Sequence, residues 1–285
     1  MTSPSAGSGR DLLRRHSPRA VPAERTGTLY SLAVGIDRYA DPNVSALGFA
    51  GADARAVHEL LSRNVAAGEG QHHLLLDEAA TRTAIMKRIG EDLSRRVTAN
   101  DTVIFYFAGH GSPETSGSLD TASRYLIGYD TDYENIYATG IDMERDFGGW
   151  FQRLSCRWIL FFVDACFSGR AGGRTFEGPG LKRLRESWRS SIRWRDLDLG
   201  EARVVITACG DDEVASESAE LGHGLFTHCL LETWTRPYGT VTTLGVSTLY
   251  DLVAEKVRET SRCAQTPAMN GHLVGARIPL LQPIE

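Results

Sequence analysis

The sequence predicts a three-layer α/β fold, with a mainly parallel sheet covered by helices on both faces. Three observations carry that expectation. Short, continuously apolar runs recur along the chain, most clearly at 101–107 and 157–163, as strands buried on both faces require. Between such runs lie segments with apolar residues at helical spacing, the alternation that builds crossover units. The chain has 285 residues, 42% of them hydrophobic, enough to bury a sizeable core. No repeat of roughly 20–50 residues is visible, which argues against a solenoid or a propeller.

Residues 1–27 are rich in Ser, Pro, Gly and Arg and lack periodicity, so they read as a flexible tail before a folded domain at 28–285. LYSLAVGI, from Leu29, reads as the first strand. A helix follows from Ala50 to about Asn64, with Val57, Leu60 and Leu61 on one face. Residues 73–76 with their His flank form a short strand, and Thr81–Arg96 is helical through Ile85, Ile89 and Leu93, spaced four apart. Asp101–Phe107 (DTVIFYF) is a strand followed at once by Ala108-Gly109-His110-Gly111-Ser112. A polar loop leads to the apolar stretch Tyr125–Ile127 and to a helix over about Asp142–Leu154. The most buried-looking strand, Arg157–Val163 (RWILFFV), ends in Asp164-Ala165-Cys166-Phe167-Ser168-Gly169. Glu201–Thr207 is a further strand, helices lie near Gly224–Trp234 and Thr248–Thr260, and Gly275–Leu280 reads as a last strand.

Composition narrows the function classes. A net charge of -5 argues against a general polyanion binder; Trp188 and Trp194, inside a basic stretch, are the only hint of base stacking. The longest wholly apolar run, Trp158–Val163, is six residues, far below the roughly 20 that span a bilayer. The N-terminal stretch has no apolar segment like a secretory signal, so the expected location is the cytoplasm. Five cysteines at 156, 166, 209, 229 and 263 show no regular spacing and describe no disulfide framework. Neither CxxC nor HExxH occurs, and His72 and His73 have no further ligand pattern around them, so no metal site is expected.

Reactive residues stand at two strand ends. In open parallel sheets ligands gather beyond the carboxyl ends of the strands. His110 lies three residues after Phe107, and Cys166 lies three after Val163. On neighbouring strands, about 4.8 Å apart, they would reach one edge at comparable height. A thiol of pKa about 8.5 is only partly ionised at neutral pH, so an imidazole beside it would help form the nucleophilic thiolate and then protonate a leaving amine. Gly109, Gly111 and Gly169 would let a substrate backbone approach and present N–H groups to an oxyanion. The competing reading is an inert buried thiol beside an ordinary loop histidine.

YFAGHGS (106–112) together with FFVDACFSG (161–169) resembles the catalytic blocks of caspase-like cysteine proteases, above all their metacaspase and paracaspase branches. LAVGIDRYADPNVSALGFAGADARAV (32–57), TACGDDEVASESAELGHGLFTHCLLE (207–232) and QTPAMNGHLVGARIPL (265–280) resemble further blocks, so the likeness covers about 28–280. It implies a three-layer caspase-like fold with about six strands, a His110–Cys166 dyad, and Gly111 N–H in the oxyanion hole. The caspase signature has Gln two residues before the nucleophile, where this chain has Asp164. With a period of two, residues 164 and 166 share a side, which sets a carboxylate beside the nucleophile to pair with a substrate arginine. The resemblance implies a second S1 acid at Asp53. Asp37, at the end of the first strand, is its rival, and helix-dipole stabilisation is an alternative role for Asp53. The expectation is cleavage after Arg or Lys.

No cofactor is expected. Many metacaspases carry an acidic calcium cluster, but here the matching stretch reads Gly140-Ile141-Asp142-Met143-Glu144, with one acid missing. Asp130, Asp132 and Asp142 remain as oxygen donors without implying a strict calcium requirement.

Residues 170–196 break the pattern, with eight Arg or Lys against three Asp or Glu. They read either as a solvated loop or as a processing loop whose Arg170, Arg174, Lys182, Arg183, Arg185, Arg189, Arg193 and Arg195 match the expected specificity. In the second case the enzyme is latent until the loop is cut by itself or by an upstream protease. Its partners would be proteins with exposed Arg or Lys, with neither nucleic acid nor membrane. Prokaryotic relatives sit in stress or anti-phage systems, a context that the resemblance alone implies. The alternatives are a catalytically silent scaffold or regulatory module, and a cysteine hydrolase or transferase of another substrate class.

Overall fold

The structure, a computed structural model, describes residues 27–64, 70–113, 124–167, 202–210, 213–237 and 243–279. The expected tail up to residue 26 and the basic segment 170–196, with its eight candidate processing residues, Trp188 and Trp194, lie outside the described residues.

The chain begins with β1 (Leu29–Gly35), α1 (Ala50–Asn64), β2 (His72–Leu76), α2 (Arg82–Lys87) and β3 (Thr102–Ala108). Smaller elements follow: β4 (Gly111–Pro113), β5 (Arg124–Leu126), α3 (Ile136–Thr139), β6 (Ile141–Asp142) and α4 (Arg145–Arg153). Next come β7 (Trp158–Asp164), β8 (Ala202–Thr207), β9 (Glu217–Ser218), β10 (His223–Gly224) and α5 (Leu225–Thr235). The last are β11 (Thr243–Gly245), α6 (Val246–Thr260), β12 (Ala268–Leu273) and β13 (Arg277–Pro279).

Six strands form the central sheet in the order β12-β8-β7-β3-β1-β2. β2, β1, β3, β7 and β8 run parallel, and β12 is antiparallel to β8. The alternation of side chains divides the core in two. Ile104, Tyr106, Leu160 and Phe162 face α1, α5 and α6. Val103, Phe105, Phe107, Phe161 and Val163 face α2 and α4. Fully apolar strands are what this double cover demands, and they are why β3 and β7 stand out in the sequence.

Four details differ from the sequence reading. The helix expected over 81–96 changes to a π-helical turn at Arg88–Leu93. Gly90 lies within that turn, and the Ser94 hydroxyl donates to the Gly90 carbonyl at 2.8 Å, competing with the backbone ladder. The helix expected from 142 starts at Arg145, because Asp142 stays outside it and accepts from Glu144 N and Arg145 N at 2.8 and 2.9 Å. The last expected strand is β13, which pairs with β11 rather than with the central sheet. Finally β12, AMNGHL, has no alternating apolar pattern to announce it. Its Gly271 has φ +127°, and a Cβ there would lie 2.0 Å from the Arg203 carbonyl oxygen, so only glycine fits.

Candidate active site

β3 and β7 are hydrogen-bonded neighbours in a register that pairs Ala108 with Asp164. Two residues beyond that pair, on either strand, stand His110 and Cys166. The two loops are tied together by Gly109 N, which donates to the Asp164 carbonyl at 3.3 Å. Parallel pairing therefore brings imidazole and thiol to the same end of the sheet at the same height.

His110 is fully buried and held from the loop that follows β1. Its Nε2 lies 2.8 Å from the Ser45 carbonyl oxygen and 3.3 Å from Ser45 Oγ. A carbonyl can only accept, so Nε2 carries the proton and Nδ1 is the basic nitrogen. His110 N donates to the Tyr39 hydroxyl at 2.9 Å, and the two rings lie 5.3 Å apart. Tyr39 OH in turn donates to the Ile36 carbonyl at 3.3 Å. Neither Tyr39 nor Ser45 was assigned a role from sequence. Ser45 acts through its backbone, which no side-chain pattern reveals, although both residues lie in the 32–57 block.

Cys166 is fully buried as well. Its Sγ donates to the Glu213 carbonyl at 2.5 Å and accepts from Ala215 N at 3.1 Å. Cys209 Sγ lies 3.2 Å away. The segment 213–215 thus covers the sulfur. Beside it opens a cavity of about 400 Å³ lined by Ala46, Leu47, Gly48, Val214, Ser216 and Glu217. One wall adjoins Ser45, which holds His110; the other includes both neighbours of Ala215. Gly111 packs directly on the Cys166 loop: a Cβ there would lie 2.6 Å from the Cys166 carbonyl oxygen and 2.5 Å from the Phe167 ring. Glycine is required at this approach.

The two expected S1 carboxylates are both fully buried, and both reach the start of α5. Asp164, on the same face as Cys166, accepts from Thr227 Oγ1 at 2.5 Å. Thr227 spends its one proton there, so Tyr106 OH, 2.5 Å from Thr227 Oγ1, is the donor to it. Asp53 stands in the first turn of α1 but caps α5: it accepts from Gly224 N at 3.0 Å and lies 2.6 Å from His223 Nδ1. These bonds tie α1 to the start of another helix. Asp37, the rival, accepts from Ala50 N and Gly51 N at 2.8 and 3.0 Å and caps α1. Burial nevertheless raises its carboxyl above the ordinary 3.8. Glu217 was not singled out from sequence; it accepts from Gly48 N and Phe49 N, each at 3.1 Å, and lines the cavity.

Remaining candidates take structural roles. Asp130 accepts from Arg82 N at 2.7 Å, Asp132 from Glu134 N at 2.8 Å, and Asp142 caps α4. Among the described residues no group of three His, Cys, Asp or Glu side chains could hold a metal ion. No helix among them is long and apolar enough to cross a membrane. His72 Nδ1 lies 2.8 Å from Ser31 Oγ. Burial pushes the thiols of Cys156 and Cys229 up to about 12 and about 11, which marks them as inert packing. Cys209 also rises well above 9.0, first through its hydrogen bond to Cys166 and then through burial.

Comparison with known proteins adds three findings. The family model for the caspase domain matches residues 29–276. Among solved structures, a protein from Geobacter sulfurreducens superposes with a TM-score of 0.63 at 18% identity, over 87% of this chain and 95% of that one. Caspase-1 from Spodoptera frugiperda superposes with a TM-score of 0.58 at 12% identity, over 87% and 88%. A search among curated proteins returned no match.

Proposed function

The chain belongs to the caspase-domain family, and on that premise we propose that it is a cysteine endopeptidase cutting proteins after Arg or Lys. The observation that carries the reading is the Ala108–Asp164 register, which sets His110 and Cys166 at one sheet end with the imidazole tautomer fixed by Ser45.

In this reading His110 Nδ1 takes the Cys166 proton, and the thiolate attacks the scissile carbonyl. The oxyanion forms against Gly111 N–H, beside the nucleophile loop. The imidazolium then protonates the leaving amine, and water hydrolyses the acyl-enzyme with His110 as base. Asp164 and Asp53 supply the negative charge for a P1 guanidinium or ammonium, and Glu217 adds a carboxylate at the cavity wall. An arginine would gain bidentate pairing where a lysine gains a point contact.

The burial of Cys166 beneath residues 213–215 supports latency. Substrate reaches the sulfur only after that segment moves, and cutting within 170–196, next to the nucleophile, is the proposed release. The enzyme would work in the cytoplasm without a strict calcium requirement, on exposed basic sites, after processing by itself or an upstream protease.

The test is mass spectrometry of new N-termini in a protein mixture incubated with wild type or with Cys166→Ala. Cuts after Arg or Lys in the wild-type sample alone are expected, together with cuts in the protein's own 170–196 segment. Cuts after Asp would overturn the basic specificity and leave the dyad standing. Silence that persists after the loop is nicked with trypsin would favour the silent scaffold. Replacing all eight basic residues of the loop should prevent activation; full activity in that variant would remove the processing step.

A further inference from the structure

We propose that Cys166 and Cys209 form a reversible disulfide when the protein meets a peroxide, so that the nucleophile's own neighbour is its oxidation partner. The two Sγ atoms lie 3.2 Å apart. A disulfide of about 2.05 Å needs them to approach by little more than about 1 Å.

The backbone around the pair is rigid on both sides. β7 and β8 are parallel neighbours with Val163 opposite Thr207, and Ala208 N donates to the Val163 carbonyl at 2.9 Å. Cys209 Sγ also lies 3.8 Å from the Ala165 carbonyl oxygen, so it is turned towards the nucleophile loop. Both residues are buried, so peroxide, like substrate, reaches the pair when the covering segment 213–215 moves aside. The roles are unequal. Cys166 gives its proton to the Glu213 carbonyl, so Cys209 is the donor between the two sulfurs. That bond and burial hold Cys209 as the thiol, and Cys166 is the sulfur that reacts first.

The steps balance with hydrogen peroxide as the only oxidant. The Cys166 sulfur attacks one peroxide oxygen; the O–O bond breaks, an S–O bond forms, and the thiol proton leaves with the other oxygen as water. Cys209 sulfur then attacks the sulfenic sulfur; the S–O bond breaks, the S–S bond forms, and the Cys209 proton departs with the hydroxyl as a second water. Two thiols lose two electrons and one peroxide becomes two waters. A dithiol restores both cysteines by exchange. Without Cys209, the sulfenic acid stays exposed to further peroxide and passes to the irreversible sulfinic acid. The disulfide stands on this geometry alone; only its consequence, a reversible loss of cleavage, rests on the peptidase reading.

The experiment treats the full chain with graded hydrogen peroxide, alkylates free thiols after denaturation, digests without reduction and maps the peptides by mass spectrometry. Exposed Cys263 serves as the internal reference for peroxide dose. A linked peptide pair carrying Cys166 and Cys209, released by dithiothreitol, is the expected result. In Cys209→Ala and Cys209→Ser, Cys166 should instead accumulate sulfinic acid that dithiothreitol does not reverse. Oxidised Cys166 beside alkylated Cys209 in the wild type would overturn the proposal. So would an unmodified Cys166 at doses that oxidise Cys263. The wild-type map decides even if the variants fold poorly. A linked pair in a protein that cleaves nothing even after the 170–196 loop is nicked would uphold the disulfide and sink the peptidase reading, whereas activated protein that loses cleavage without a link would do the reverse.

Discussion

The two faces of the central sheet share their strands and both bury apolar side chains, but one of them adds a reactive polar set to its core. Under α2 and α4, Phe161 meets Phe105 and Phe147 edge-on at 5.1 and 4.9 Å, and Phe147 stacks on Trp150 at 5.1 Å. Towards α5, the same strands carry Tyr106, Asp164 and Cys166, joined to Thr227 and Cys209 by short polar contacts. One residue along the chain separates the worlds: Phe105 from Tyr106, Val163 from Asp164, Ala165 from Cys166. The backbone ladder sets the strand register, the aromatic face packs over it without directional bonds, and the polar face uses that register to place reactive atoms. Burying carboxylate, hydroxyl and thiol together costs stability unless each is paired. The apolar face offsets that cost.

The sharpest break of this division is at the nucleophile. Cys166→Ala should lower peptide hydrolysis by at least about 10³-fold while its melting transition stays cooperative. A variant that melts normally but still cuts would move the chemistry elsewhere. Next in size is Phe161→Ala, expected to cost about 3–5 kcal/mol in denaturant unfolding through transfer loss and a cavity. The protein that remains folded should keep its specificity. Gly111→Ala tests the contact between the loops: its Cβ meets the Cys166 carbonyl, so the nucleophile must shift, and activity should fall about 10²-fold with a smaller loss of stability.

Thr227→Val keeps the shape but removes the donor to Asp164 and the acceptor of Tyr106. We expect about 1–3 kcal/mol of destabilisation, read from urea unfolding, against a near-neutral result for a swap of equal size on the aromatic face. Equal effects on the two faces would erase the contrast between them.

The smallest effect lies at the sheet edge, where burial pushes His58, His72 and His73 below their ordinary value of 6.5. Their folded-state pKa values are depressed, so the unfolded chain binds more protons. Stability from these groups is full above 6.5 and is lost as pH falls towards the depressed values. Melting temperature should therefore drop on acidification through that window. Replacing His58 and His73 with Gln should flatten the drop; an unchanged profile would place the acid sensitivity elsewhere.

Much of the frame was legible because it is local. β3 and β7 announce themselves by continuous apolarity, and α1 by helical spacing that matched its observed limits. Period-two alternation correctly placed Asp164 and Cys166 on one side. β12 was missed because its residues, half exposed at the edge, follow no apolar rhythm; its pairing with β8 makes it a strand. The reach of Asp53 to the start of α5 was not legible, because its partners Gly224 and His223 lie far away in the chain. Nothing in GADA points across 170 residues of chain.

The sequence by itself determined the alternating strands and helices, the family, and the two strand ends that carry histidine and cysteine. Each of these is written in neighbouring side chains, where spacing and residue type suffice. Only the tertiary structure decided that Ser45 fixes the imidazole, that Thr227 and Tyr106 hold Asp164, and that Cys209 stands beside Cys166. Those contacts join segments far apart in sequence, and their distances come into being only when parallel strands pair and helices pack against them.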